Sequence, residues 1–79
     1  MNDSRILNGD DIKEGLRVKL VRRFSSIEAG TIGVIEDYEN TEFGDITDIS
    51  IRWESGSLVP YIIDQNDSDR NIIQYLIKI

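Results

Sequence analysis

Residues 46–63, ITDISIRWESGSLVPYII, carry the clearest structural signal in the chain. Residues 48–53 alternate between polar and apolar side chains, which is the period of a half-buried β-strand and predicts a strand over 46–53. The apolar side of that strand would carry Ile49, Ile51 and Trp53. The ESGS segment follows, and Gly56 can supply the positive φ of a tight turn into a second strand at 58–63. Pro60 has no N–H to donate, so it is expected at a sheet edge or a bulge.

Two strands are predicted upstream of this hairpin. Residues 16–23, LRVKLVRR, alternate at first, with Leu16, Val18 and Leu20 on one side. A short turn or 3₁₀ segment at 10–15 would lead into them. Residues 31–38, TIGVIEDY, are rich in β-branched residues and predict the next strand. Gly33 inside this strand indicates a close backbone approach, a bend or a bulge.

The last nine residues, NIIQYLIKI, fit two structures. Five of them are Ile or Tyr, which favours a strand that would pair beside the first strand and close a barrel. A short helix stays open, with Asp67 or Ser68 as its cap. Its apolar face would be formed by Ile72, Ile73, Leu76 and Ile77. The expected fold is all-β with five strands, in one domain spanning 1–79 whose first nine residues are loosely attached.

Composition narrows the function classes. The 79 residues include neither Cys nor His, which rules out a disulfide and argues against a transition-metal site. The net charge of −6 argues against a simple nucleic-acid binder. Residues 1–9 lack the apolar segment of a secretory signal, and no apolar run approaches the roughly 18–20 residues of a membrane span. A cytoplasmic protein without membrane contact is expected.

Catalysis is not expected. General acid–base work by His and nucleophilic attack by Cys are both unavailable, and the serines lie in no recognisable activating motif. The chain contains neither a phosphate-binding loop nor a dinucleotide fingerprint. The acidic residues do not follow the spacing of an EF-hand calcium loop. The sequence therefore predicts a non-enzyme without a cofactor or a metal ion.

Three motifs follow one another along the chain: Gly15-x-Arg17-Val18-x-Leu20, Gly30-Thr31-x-Gly33-x-Ile35 and Ile49-x-Ile51-x-Trp53-x-x-Gly56-Ser57. Their order resembles that of small prokaryotic and phage SH3-like domains. The second motif also resembles the core of a KOW motif. The resemblance covers about residues 12–64 and implies a five-stranded SH3-like barrel. It implies no single function, because such barrels host many unrelated roles.

An acidic face is predicted around the second and third strands. Its six carboxylates lie within thirteen positions that contain no base: Glu36, Asp37, Glu39, Glu42, Asp45 and Asp48. Two interpretations stay open. The carboxylates could keep the protein soluble and protect an exposed β-edge. Alternatively, they could form a docking surface for a basic partner, because opposite potentials speed encounter.

A basic stripe and an aromatic group complete the candidate sites. The stripe consists of Arg17, Lys19, Arg22 and Arg23. It is either a solvated outer face or a contact surface for phosphates or acidic groups. The aromatic group consists of Phe43, Trp53 and Tyr61, which could form a partner-binding hot spot. Trp53 could equally belong to the core, in which case its indole N–H needs a hydrogen-bond partner.

These features predict a small module that binds a protein with a basic surface. Its size and the resemblance to phage domains suggest a regulatory or inhibitory accessory protein, such as a host-defence inhibitor or a nucleic-acid mimic. One alternative is a KOW-like nucleic-acid or ribonucleoprotein binder that uses the basic stripe. Another alternative is a structural subunit of a larger assembly. The sequence does not specify the oligomeric state.

Overall fold

A computed structural model describes residues 7, 9–64, 66, 67 and 70–79. Its five strands are β1 (Arg17–Leu20), β2 (Ile32–Asn40), β3 (Ile46–Trp53), β4 (Leu58–Ile62) and β5 (Leu76–Lys78). All pairs are antiparallel, and the strands form one sheet in the order β4-β3-β2-β1-β5. Two 3₁₀ turns lie at Gly9–Asp11 and Ile72–Tyr75. The predicted all-β fold with five strands is confirmed.

The C-terminal segment is a short 3₁₀ turn followed by a strand, and the turn is capped by Asn71 rather than by Asp67, while the other predicted cap, Ser68, lies outside the described residues. The Asn71 side chain accepts a hydrogen bond of 3.0 Å from the Ile73 N–H and caps the 3₁₀ turn Ile72–Tyr75. The three residues of β5 follow and pair with β1, as predicted. The expected strand is therefore confined to the end of the segment. Closure of a barrel stays a prediction, since β4 and β5 end the sheet without pairing to each other in the described residues.

Strand β1 is shorter than the sequence pattern predicted. Its ladder ends at Leu20, and the next N–H, of Val21, donates to the Tyr75 carbonyl at 2.8 Å. The chain then folds back through a bridge between Phe24 and Ile27. Residues 21–23 therefore form the start of a loop, which changes where their arginines point.

One apolar core lies on the inner side of the sheet. Its fully buried side chains include Val18, Leu20, Ile35, Ile49, Ile51, Trp53 and Ile72. Gly33 confirms the predicted close approach, because a Cβ there would lie 2.6 Å from Ile51 Cγ2 and 2.8 Å from Trp53 Cε3. A larger residue would have to push these core side chains aside. Gly33 thus lets β2 and β3 pack closely beside the indole.

The β3–β4 hairpin has the turn and the edge that its sequence predicted. Gly56 adopts a φ of 99°, and the Trp53 N–H donates to the Ser57 carbonyl at 2.9 Å. Strand β4 ends the sheet, so Pro60 lies on an edge strand. The alternation of the ladder directs the Pro60 nitrogen away from β3, where no hydrogen bond is lost. This arrangement also blunts the edge against pairing with another strand.

Little of the N-terminal segment is described. The expected loose attachment of residues 1–9 falls mainly on 1–6 and 8, which lie outside the described residues. Leu7 is described; it is 5% exposed and belongs to the core. In the part of the chain that the structure describes, no helix has the length and apolar character that a bilayer crossing needs.

Candidate functional site

The outer side of the sheet, opposite the core, is divided by charge. Paired residues on neighbouring strands project to the same side, so the strand register defines rows of side chains. One row contains Arg17, Val34, Arg52 and Leu58. Another row, towards the β2–β3 turn, contains Glu39, Asp48 and Ile62. Basic and acidic residues therefore occupy opposite ends of one sheet face.

Of the six carboxylates in the acidic face, one forms an ion pair and five do not, within the described residues. Glu36 lies at a bulge in β2 and forms an ion pair of 2.8 Å with Arg52. The other five form no ion pair within the described residues: Asp37, Glu39, Glu42, Asp45 and Asp48. Glu39 is directly opposite Asp48 in the strand register, which places like charges side by side. This end of the hairpin therefore has uncompensated negative charge.

Residues 40–45, here called the hairpin tip, have a fixed backbone. The Thr41 hydroxyl accepts hydrogen bonds of 3.2 Å from the N–H groups of Phe43 and Asp45. The Thr41 N–H donates to the Asp45 carbonyl at 2.8 Å, and Gly44 has a φ of 87° that suits glycine. The loop holds the Phe43 side chain outward, where it is 83% exposed. An aromatic ring is thus presented to solvent between two acidic residues.

The predicted aromatic hot spot is not one cluster. Trp53 is 1% exposed, and its indole N–H donates to the Tyr61 hydroxyl at 2.8 Å. Burial raises the pKa of Tyr61, and the hydrogen bond from Trp53 opposes this rise. Tyr61 also packs edge-on against Phe24, with ring centroids 5.8 Å apart. Phe43 takes part in none of the ring contacts of the described residues. Trp53 therefore belongs to the core, whereas Phe43 is a separate surface feature.

The basic stripe also divides. Arg17 and Lys19 project from the outer side of β1, level with Val34 and Ile32. The Arg22 guanidinium lies 4.3 Å above the centre of the Tyr75 ring, a cation–π geometry. Nε of Arg23 donates to the Ser25 carbonyl at 3.2 Å. The two loop arginines thus contact their own chain, and only Arg17 and Lys19 remain as a pair on the sheet.

A cleft of about 440 Å³ lies on the outer side at the basic end. Ile32 and Val34 provide its apolar floor on β2. Charged side chains around it come from Arg17, Glu36, Arg52 and Glu54. Arg52 is held in place, since Nη1 also donates to the Gly56 carbonyl at 3.0 Å. Arg17 and Lys19 have no ion pair among the described residues. Sequence reasoning missed this cleft, because its parts come from three strands.

The described residues contain no group of three or more His, Cys, Asp or Glu side chains arranged to hold a metal ion. Searches of protein-family models, of curated proteins and of solved structures find no match to this chain. The features of this chain that can recognise a partner are the outer sheet face, the cleft and the hairpin tip.

Proposed function

We propose that this chain is a small, non-enzymatic binding module of the SH3-like barrel type that docks onto a basic protein through its hairpin tip. The observation that carries this proposal is Phe43, which is 83% exposed in a loop with a hydrogen-bonded backbone. Burying such a side chain in a partner contributes about 1.5–3 kcal/mol. Aromatic residues, Phe included, are enriched in the cores of protein interfaces.

The charge around the ring supports a basic partner. Glu42 and Asp45 flank Phe43, and Glu39 and Asp48 follow on the two strands. In a complex, these carboxylates would surround the buried ring as a polar rim. Rim charges mainly accelerate encounter and exclude partners of like charge. The expected partner surface is therefore an apolar pocket bordered by Lys and Arg.

The hydrogen-bonded backbone of the hairpin tip favours binding through a small contact area. The two hydrogen bonds to the Thr41 hydroxyl and the left-handed Gly44 restrict the backbone of the tip before any partner binds. A preorganised loop loses less conformational entropy on binding than a mobile one. The hairpin tip can therefore bind with few contacts.

Regulation or inhibition is the role that we propose for this docking. A row of carboxylates along a β-hairpin can compete with a nucleic-acid backbone for a basic protein surface, and the resemblance to phage domains agrees with that role. The nucleic-acid-binding alternative has weaker support. Arg22 and Arg23 contact their own chain, which leaves only two of the four stripe residues together on the sheet.

Affinity capture from a lysate of the source cells tests the proposal. We expect the double variant Glu39→Lys/Glu42→Lys to lose the captured protein, because it reverses two charges at the hairpin. The matched control is Glu14→Lys/Glu28→Lys, which makes the same change in net charge at exposed positions outside the hairpin. An equal loss of capture in both variants would show that general acidity, rather than this hairpin, mediates binding, and wild-type capture by the hairpin variant would contradict the proposal.

A further inference from the structure

The cleft and the hairpin tip of this chain have complementary chemistry. The cleft offers an apolar floor between two arginines, and the tip offers an exposed phenyl ring between two carboxylates. We propose that two copies of the chain dock reciprocally, with the hairpin tip of each in the cleft of the other. The inference depends on the proposed function in one respect, because the same hairpin tip is the docking element.

The cleft has room for the ring of Phe43 and an apolar floor that the ring can contact. Its volume of about 440 Å³ is in the range of small-ligand sites. Ile32 and Val34 would contact the ring, while the guanidinium groups of Arg17 and Arg52 border it. A ring between two guanidinium groups gains cation–π attraction, which is stronger in a partly desolvated site.

The charges beside the hairpin tip and beside the cleft are opposite, as the reciprocal docking requires. Glu42 and Asp45 would approach Arg17 and Lys19, and none of these four side chains has an ion pair among the described residues. Glu36 in the cleft is already neutralised by Arg52 at 2.8 Å. Glu54 also lines the cleft, so its lining carries two bases and two acids, and the surplus positive charge at this end comes from Lys19, on the outer side of β1 two residues after Arg17.

The positions on the sheet allow both contacts at once. Val34 and the end of β2 at Asn40 are six residues apart, about 20 Å along an extended strand. A two-fold axis that crosses the strands between them would place each tip over the other copy's cleft. Rotation about this axis places the acidic row of one copy against the basic row of the other. A two-fold axis parallel to the strands would instead place acidic rows against acidic rows. Such a self-complementary contact is an isologous interface.

This dimer would also regulate the proposed function. Each hairpin tip would be covered by the other copy, so a basic partner would have to compete for it. Partner binding and self-association would then exclude each other. High concentrations of the free chain would weaken partner binding without any change in the partner.

Sedimentation velocity of the purified full chain tests the dimer, with light scattering as a second measure of mass. We expect a dimer whose population rises with protein concentration. Raising NaCl from about 0.05 M to about 0.5 M should weaken it at least about tenfold, because screening acts on its exposed charges. A chain that stays monomeric at every concentration and salt level would overturn the inference.

A charge exchange tests the reciprocal contact. Arg17→Glu and Glu42→Arg each place like charges in both contacts of a homodimer, so each variant should be monomeric. An equimolar mixture should form a heterodimer, because one contact is then native and the other has both charges exchanged. Wild-type-like dimerisation of either single variant, or a mixture that stays monomeric, would contradict the model. Circular dichroism checks that both variants, altered at exposed positions, remain folded.

The failure of this inference is distinguishable from failure of the proposed function. A monomeric wild-type chain whose partner capture still depends on Glu39 and Glu42 would refute only the dimer. Conversely, the charge exchange could restore the dimer while the hairpin variants capture cellular protein as well as the wild type does. That result would refute only the docking of a basic partner.

Discussion

The two ends of the β2–β3 hairpin use their side chains in opposite ways. At the base, beside the β3–β4 turn, Ile35, Ile51 and Trp53 are at most 1% exposed. At the tip, Phe43 is 83% exposed, and the carboxylates beside it form no ion pair within the described residues. The change follows the bulge between Ile35 and Asp37, where β2 gains an extra residue. Bulges bend a strand and redirect its side chains.

The base of the hairpin contributes to the stability of the fold, whereas the tip is available for recognition of a partner. An aromatic residue at the base is enclosed by the core and has its polar group satisfied. An aromatic residue at the tip is supported by its loop but touches little else. Substitutions at the base should therefore reduce the free energy of unfolding, and substitutions at the tip should reduce binding while the fold persists.

The largest loss of stability is expected from Trp53→Ala. Removing a buried indole deletes its packing and leaves a cavity, which costs about 3–5 kcal/mol. Urea unfolding followed by circular dichroism would measure the loss. Trp53→Phe, which retains more of the volume, should lose less. A loss below about 1 kcal/mol for the alanine variant would break the assignment of the base to the core.

Gly33→Ala should have the next largest effect. The added methyl group would meet Ile51 Cγ2 at 2.6 Å and Trp53 Cε3 at 2.8 Å. Overpacking of this kind costs about 1–3 kcal/mol. Thermal or urea unfolding tests it, and unchanged or increased stability would show that β2 and β3 are not in such close contact.

Tyr61→Phe should cost about 1–2 kcal/mol, because the buried indole N–H of Trp53 loses its acceptor. The pH dependence has a defined sign. The pKa of Tyr61 is raised in the folded state, so its stabilising contribution is present below the ordinary value near 10. That contribution is lost as the pH rises through the folded-state pKa. Urea unfolding at neutral and alkaline pH should show a weaker alkaline loss in Tyr61→Phe than in the wild type.

The strands near the tip should tolerate a charge reversal. Glu39→Lys places a cation opposite Asp48 in the strand register and removes a like-charge pair. Opposite charges at such positions contribute roughly 0.2–1 kcal/mol. We expect a small gain in stability that decreases with added salt. A loss comparable with that of Gly33→Ala would mean that this carboxylate has a structural role.

Phe43→Ala should have the smallest effect on stability, within about 0.5 kcal/mol, because the side chain is exposed. The same variant should lose partner capture and self-association. The control is Val21→Ala, an exposed apolar residue that lies away from both the tip and the cleft. Loss of capture in both variants to the same degree would remove the distinction between tip and base.

Local sequence signals predicted the fold well. The alternation of residues 48–53 indicates β3, Pro60 indicates an edge strand, and Gly33 indicates a close approach, and the structure has all three features. These features depend on the backbone chemistry of a few neighbouring residues. The last nine residues were ambiguous because Ile and Tyr suit both of their conformations. There the Asn71 cap and the pairing of β5 with β1 determine the structure.

The candidate site was less predictable, because its grouping depends on register. Glu36 and Arg52 are sixteen positions apart in sequence, yet their ion pair removes one carboxylate from the acidic face. Arg22 leaves the basic stripe because the chain turns after Leu20 and brings it over Tyr75. The exposure of Phe43 follows from the hydrogen bonds of Thr41, which no apolar pattern indicates.

Photo-cross-linking tests the role of the hairpin tip most directly. A benzophenone amino acid would replace Phe43, and in a control chain it would replace Glu28, which is also exposed. After irradiation in the source cells, the account predicts an adduct between position 43 and a protein with a basic surface, and no such adduct from position 28. Absence of an adduct from position 43, or the same adducts from both positions, would contradict the account.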